Sequence, residues 1–189
     1  AESNKQSMTL RHDWRISDAT QIKNIVSYNH LKADMTGSLN LDDYRKRPGY
    51  SYQTFTYREV DATRLSSQIS HQWNDQQQSQ VTLYYRDNTT EQNPSYNIRT
   101  DVKNGKPTGT YTGQTTYNAF QSYGLNLQHS INFHPVKLIV GAMSEHSPNQ
   151  AKTNDIEVFR DPQTRVYTGF KQRQLLRDFN VDVNNQAIY

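Results

Sequence analysis

The sequence predicts an all-β protein, an antiparallel up-and-down meander, on three observations. Apolar residues alternate with polar ones at period 2 through most of the chain, and almost nowhere at the 3.6-residue helical period. The connections between alternating runs are short and long in turn. An aromatic residue closes every second run just ahead of its short connection.

Taken in order, the first run carries Met8, Leu10 and Trp14, and the turn formers Arg15-Ile16-Ser17-Asp18 follow it. The second carries Ile22, Val26 and Tyr28 and opens into a polar stretch over about 30–60. Leu65, Ile69, His71 and Trp73 make the third, and Asn74-Asp75-Gln76-Gln77 turns it into the fourth, with Val81, Leu83 and Tyr85. A second polar stretch runs over about 88–117. The fifth run is the clearest: Tyr123, Leu125, Leu127, His129, Ile131 and Phe133 share one face, while Ser122, Gly124, Asn126, Gln128, Ser130 and Asn132 share the other. After His134-Pro135 come Val136, Leu138, Val140 and Ala142, a third polar stretch over about 145–174, and a last run with Phe179, Val181, Val183, Ala187 and Tyr189. This gives seven strands of roughly 8 to 12 residues and no helix. All short turns then lie at one end of the sheet and all long loops at the other. Trp14, Trp73, Phe133 and, by extrapolation, Tyr189 recur in steps of 59, 60 and 56 residues, a hairpin-plus-loop unit that calls for another turn directly after Tyr189.

Composition removes other classes. Apolar residues make up 33% of the 189, and no run approaches the ~18 apolar residues of a spanning helix. With no cysteine there is neither a disulfide scaffold nor a thiolate metal site. Thirteen Tyr, six Phe and two Trp are too many aromatics for a disordered tract. A net charge of +3, scattered along the chain, gives no footprint for nucleic acid.

Alternation alone does not say whether the apolar face meets a protein core or lipid. A soluble sandwich or barrel is one reading. The other is a transmembrane barrel, favoured because the polar face over 64–72 and 120–132 is mainly Ser, Asn, Gln and Gly rather than Lys and Glu. Aromatics at strand ends also suit a membrane interface, where an amphipathic ring is stable at headgroup level. An odd number of strands does not close a bacterial outer-membrane barrel, and the alternation is still running at Tyr189. The chain, 1–189, is therefore expected to be one segment of a larger barrel domain.

Arg58 through Asp75, with its continuation Ser79 to Asp87, resembles a barrel hairpin of the TonB-dependent outer-membrane receptors. Asp182-Val183-Asn184-Asn185-Gln186-Ala187-Ile188-Tyr189 is similar to a strand that precedes a periplasmic turn in that family, and Arg15 to Thr20 to one of its turns. The resemblance implies a 22-stranded barrel in the outer membrane of a Gram-negative bacterium, importing a ferric siderophore or similar scarce nutrient. It also implies an N-terminal plug domain and a TonB-contacting segment, neither of which is present in these residues. A passive porin-type barrel stays open as an alternative, as does the soluble β-rich binding domain.

The chemistry-bearing residues point to binding. No nucleophile elbow, phosphate loop or dinucleotide loop occurs, and no enzyme activity or cofactor is expected. His12, His71 and His129 share the apolar-face parity and read as interfacial residues, so no metal site is expected. Asp178 and Asp182 read as polar lining. Anionic iron chelates need cations and aromatic faces, and the long loops supply both. The first has Tyr44, Arg45, Lys46, Arg47, Tyr50 and Tyr52, the second Arg99, Lys103, Lys106 and Tyr111, and the third Arg160, Arg165, Tyr167, Lys171 and Arg173. Glu157 to Arg160 and Thr164 to Tyr167 are expected to form a small hairpin around Asp161-Pro162-Gln163.

Overall fold

The computed structural model describes residues 2–94 and 97–189, so Ala1 and residues 95–96, inside the second long stretch, lie outside the described residues. The strands are β1 (Ser3–Arg15), β2 (Thr20–Asp34), β3 (Tyr57–Asn74), β4 (Gln77–Asn93), β5 (Arg99–Lys103), β6 (Lys106–Phe133), β7 (Val136–Arg160) and β8 (Tyr167–Ile188). All belong to one sheet in the order β1-β2-β3-β4-β6-β7-β8, and every neighbouring pair is antiparallel. The short strand β5 pairs with β6 beyond the end of β4. The chain is thus an all-β antiparallel meander, as the alternation predicts.

The short turns fall where the sequence places them. Ser17 and Thr20 close the first through Ser17 N to Thr20 O at 3.2 Å. Asp75-Gln76 and His134-Pro135 form the other two, all at one end of the sheet. The opposite end differs from expectation. The stretches over 88–117 and 145–174 are mostly strand, not loop. β6 runs for 28 residues and β7 for 25, because Thr and Tyr around 108–117 are good strand formers even without an apolar face to bury. β5 is an additional, eighth strand, joined to β6 through Asn104-Gly105, both at positive φ (52° and 76°). That pair is the turn whose twist matches a tight hairpin. A short helix, α1 (Leu41–Lys46), also forms where none is expected.

Cross-strand register sorts the side chains onto two faces. Trp14 pairs with Ile22, Ile22 with Ile69, Ile69 with Val81, Val81 with Leu127 and Leu127 with Ala142, so one row crosses six strands on the apolar face. His71 and His129 stand on this face too, His71 with its ring 4.4 Å from that of Trp73. The band from Tyr123 to Phe133 spans ten steps of about 3.4 Å; at a tilt of about 45° that is ~24 Å in height, the size of the apolar band of a membrane barrel. Tyr28, Tyr85 and Tyr123 stand on the apolar face at its upper limit, opposite Trp14, Trp73 and Phe133 at its lower one.

Among the described residues nothing covers this band. Leu83, Leu127, Leu138 and Val140 keep 43–55% of their surface exposed. Among the described residues the buried apolar side chains are Ile156 and Val158, at the loop end. The polar face is the more tightly packed one: Ser122, Ser130 and Ser147 are buried, and the rings of Tyr84 and Tyr189 lie over Gly124 and Gly141, where a β-carbon would collide with them.

The last strand departs from the expected dressing. Ala142 pairs with Ile188 and His146 with Asn184, which puts Asp178 and Asp182 on the apolar face and Phe179, Val181, Val183 and Ala187 on the polar one. Three bulges, at Thr153/Asn154, Asp155/Ile156 and Phe159/Arg160, separate this half of β8 from its hairpin tip and set that parity. Tyr189 follows suit. It faces Asn126 on the polar side and pairs with Gly141, five residues above the start of β7. It therefore shares neither the face nor the level of Trp14, Trp73 and Phe133, and a turn directly after it would fall about 16 Å short of the turn end, at ~3.3 Å per residue.

Candidate functional site

The β2–β3 connection, residues 35–56, folds over the loop end of the sheet. Its anchors are backbone and aromatic. Gln53 bridges Tyr167, Tyr167 N donates to Tyr52 O, and the Phe55 ring packs 5.4 Å from Phe170. Ile156 and Val158 lie on the face that carries Phe170, with Pro94 close to Gly113 and Ile156. This is the small core that positions the connection.

Within the connection, α1 begins at Asn40, whose side chain accepts from Asp43 N at 2.8 Å. Asp42 and Asp43 occupy the first turn and Arg45 and Lys46 the last, matching the helix dipole. Asp43 is the centre of a network. Arg47 donates to it at 2.7 Å, Tyr52 Oη donates to it through a short bond, and Asn40 Nδ2 reaches both Asp43 and Tyr52. The Arg47 bond, joined by that from Tyr52, holds the Asp43 carboxyl below its ordinary range, and the same carboxylate pushes the Tyr52 phenol up. A depressed carboxyl stabilises the fold above its unfolded pKa of about 3.9 and loses that contribution as pH falls through the lower folded value. Amide protection over residues 43–52, the exchange rate taken relative to an unstructured amide at the same pH, is therefore expected to be flat from neutral pH down to about 4 and to fall below it. Asp43→Asn should show the lower protection above about pH 4, and the two should converge below it.

The third connection is the hairpin expected around Asp161. Its carboxylate accepts from Gln163 N and Thr164 N, both at 2.8 Å, and those bonds lower its pKa. Arg165 takes positive φ, 64°, at the turn's exit. Arg160 donates to Arg165 O at 3.0 Å and to Tyr111 Oη at 2.8 Å, and its guanidinium lies 5.2 and 5.3 Å from the ring centres of Tyr111 and Tyr167. Burial pushes the Tyr167 phenol up, against the pull of Arg160.

These two connections, with Asn97 and Ile98, enclose a polar cleft of about 390 Å³. Of the sequence-derived ligand residues, Tyr52, Arg160, Arg165 and Tyr167 line it together. Arg99 lines a neighbouring hollow with Gln114. Tyr44, Arg45 and Lys46 project from the exposed side of α1, with Lys46 paired to Asp42. Arg47 and Tyr50 stack on each other at 3.8 Å and brace the connection. Asn40 and Gln53 also line the cleft. Asn40 and Gln53 carried no sequence signal beyond polarity, whereas Arg160 was legible by type in the third loop. Arg173 does not reach the cleft. It is held by Asp101 at 2.7 Å, Glu157 at 3.6 Å and Asp155 at 3.9 Å.

Among the described residues one set of metal-capable donors converges, His30, Glu59 and Asp61, within 4.8 Å. Lys32 pairs with Glu59 at 2.7 Å and His30 hydrogen-bonds Asp61 at 2.9 Å, so all three donors already have partners. A scan against protein-family models finds no match to the chain, and a search of curated proteins finds none.

Proposed function

We propose that this chain is a wall segment of a TonB-dependent outer-membrane receptor that imports a ferric siderophore or similar scarce nutrient, and that the loop-end cleft contributes to ligand recognition. The observation that carries the reading is the uncovered apolar band: ~24 Å tall, ringed by aromatics at both limits, with the buried apolar core confined to the opposite end of the sheet. A water-soluble domain leaves no contiguous apolar face of this extent open. Outer-membrane lipid is then the partner of that face.

The cleft supports the ligand class. Arg160 and Arg165 supply positive charge, and Tyr52 and Tyr167 supply aromatic faces and hydroxyls. Among the described residues the Arg165 guanidinium makes no bond, so its five donors are free for an anionic chelate. Gating and energy coupling belong, in this reading, to a plug domain and the TonB complex, outside these residues. A porin-type barrel would share the wall but pass solutes without energy.

Fractionation of cells expressing the whole protein tests the membrane claim: it is expected with the outer membrane, and recovery as a soluble monomer ends the proposal. Uptake of a radiolabelled ferric chelate is expected to stop when the proton gradient is collapsed. Uptake that continues identifies a passive pore. Arg165→Ala is expected to weaken chelate binding about 10-fold, the size of one charge-assisted hydrogen bond, with no effect on membrane insertion.

A further inference from the structure

The polar face carries a like-charge pair, only half compensated, at the upper limit of the apolar band. Arg64 of β3 and Arg86 of β4 are direct cross-strand partners. Opposed side chains in an antiparallel pair stand about 5 Å apart at Cβ, and like charges there are destabilising. Arg86 is held: its Nε and Nη2 donate to Ser122 Oγ at 3.2 and 3.0 Å, and Nη2 reaches Glu145 at 2.7 Å. Tyr84 Oη donates to the same carboxylate oxygen. Glu145 Oε2 thus takes both bonds on one side of Arg86. Among the described residues Arg64 has no hydrogen-bond or ionic partner, and Nη1 of Arg86 makes no bond. Both arginines line an open hollow of about 550 Å³ with Ser27, Ser66 and Tyr84, and with Ile25 and Leu65 as its apolar part.

Two guanidinium groups, one carboxylate and a hollow between them make an incomplete ion set. We propose that this hollow holds an oxyanion, a carboxylate or a phosphate, gripped by the fork of Arg64 on one side and the free edge of Arg86 on the other. A planar fork matches the two oxygens of either group, and a bound anion turns the repulsion across β3 and β4 into a shared attraction. Glu145, held by Tyr84, takes the other edge of Arg86 and competes with the anion for its charge. The site does not depend on the receptor reading, because register and hydrogen bonding alone define it. The anion has two possible sources: a carboxylate side chain from elsewhere in the protein, or a dissolved solute.

Arginine-selective labelling with phenylglyoxal, read by mass spectrometry on the whole protein, tests the site, with the exposed Arg15 as internal reference. Protection of Arg64 by about tenfold at low salt without any added anion, lost in about 1 M NaCl where screening acts within ~3 Å, identifies an internal carboxylate. Protection that develops only on adding inorganic phosphate or citrate identifies a solute. Labelling of Arg64 at the rate of Arg15 under all these conditions overturns the proposal, as does protection that survives the salt, which is steric cover. Glu145→Gln removes the competing carboxylate, and the phosphate concentration for half-protection is expected to fall about tenfold, one charge-assisted bond regained. An unchanged concentration in that variant overturns the two-sided grip.

Discussion

Leu127→Arg is expected to lower the folding stability of the protein in phospholipid bilayers by about 2–4 kcal/mol, the cost of a cation near the midplane of a barrel's lipid face. Leu127 stands midway between Tyr123 and Phe133, between Val81 and Ala142, with 43% of its surface exposed. Its chain neighbour Gln128 belongs to the polar face, opposite Gln80 and Gly141. Gln128→Arg should therefore stay within about 0.5 kcal/mol, the range of ordinary surface substitutions. Urea titration of the two variants in the same lipid measures the difference. Equal, small effects at both positions would remove the argument that the apolar face meets lipid.

The second large effect is expected at Ile156, whose side chain is wholly buried. Ile156→Ala deletes buried methyl groups that the short core cannot replace by collapse, at a cost of about 2–4 kcal/mol. The loss is local, because the 35–56 connection packs there through Phe55 and Phe170. Hydrogen exchange should rise over that connection while the ladder between β3 and β4 keeps its protection. Chelate affinity should fall together with it, since Tyr52 and Gln53 are positioned by this packing. An intact connection in Ile156→Ala would mean that the Gln53–Tyr167 bridge and the Asp43 network suffice.

The sequence made the turn-end half of the sheet legible and blurred the rest, for one reason. Alternation records the difference between two environments, so it is sharp around Leu125 and Leu127, where one face is apolar and the other amide-rich. Over Thr108 to Tyr117 the strand carries Thr, Tyr, Gly and Gln with no aliphatic side chain on either face, the pattern fades, and β6 continues on backbone hydrogen bonds that leave no mark in side-chain chemistry. The helix α1 had signals of another kind: Asn40 as cap, acidic then basic turns, and Pro48 beyond its end. Six residues are too few for a 3.6-residue period to show. Asn104-Gly105 likewise announced the β5–β6 hairpin through turn chemistry rather than periodicity. The cleft was half legible. Tyr52, Arg160, Arg165 and Tyr167 stood out by type, but their meeting depends on a contact across more than a hundred residues of chain, which no local pattern encodes.

The ring of Tyr189 lying on Gly141 has a consequence for how the β7–β8 seam finds its alignment. β8 is poorly indexed by its side chains, since amides line one face and aliphatics the other, and both faces are exposed along the strand. Three bulges give it further slack. A slip of one residue would swing the tyrosine ring to the other side of the sheet, against Val140 or Ala142, where β-carbons already stand. Only the observed alignment brings the bulkiest side chain of this stretch onto the bare backbone of a glycine, with Asn126 accepting its hydroxyl at 3.2 Å. Tyr189 and Gly141 act as key and keyway for the seam, a single fit that indexes every pair between them and the first bulge.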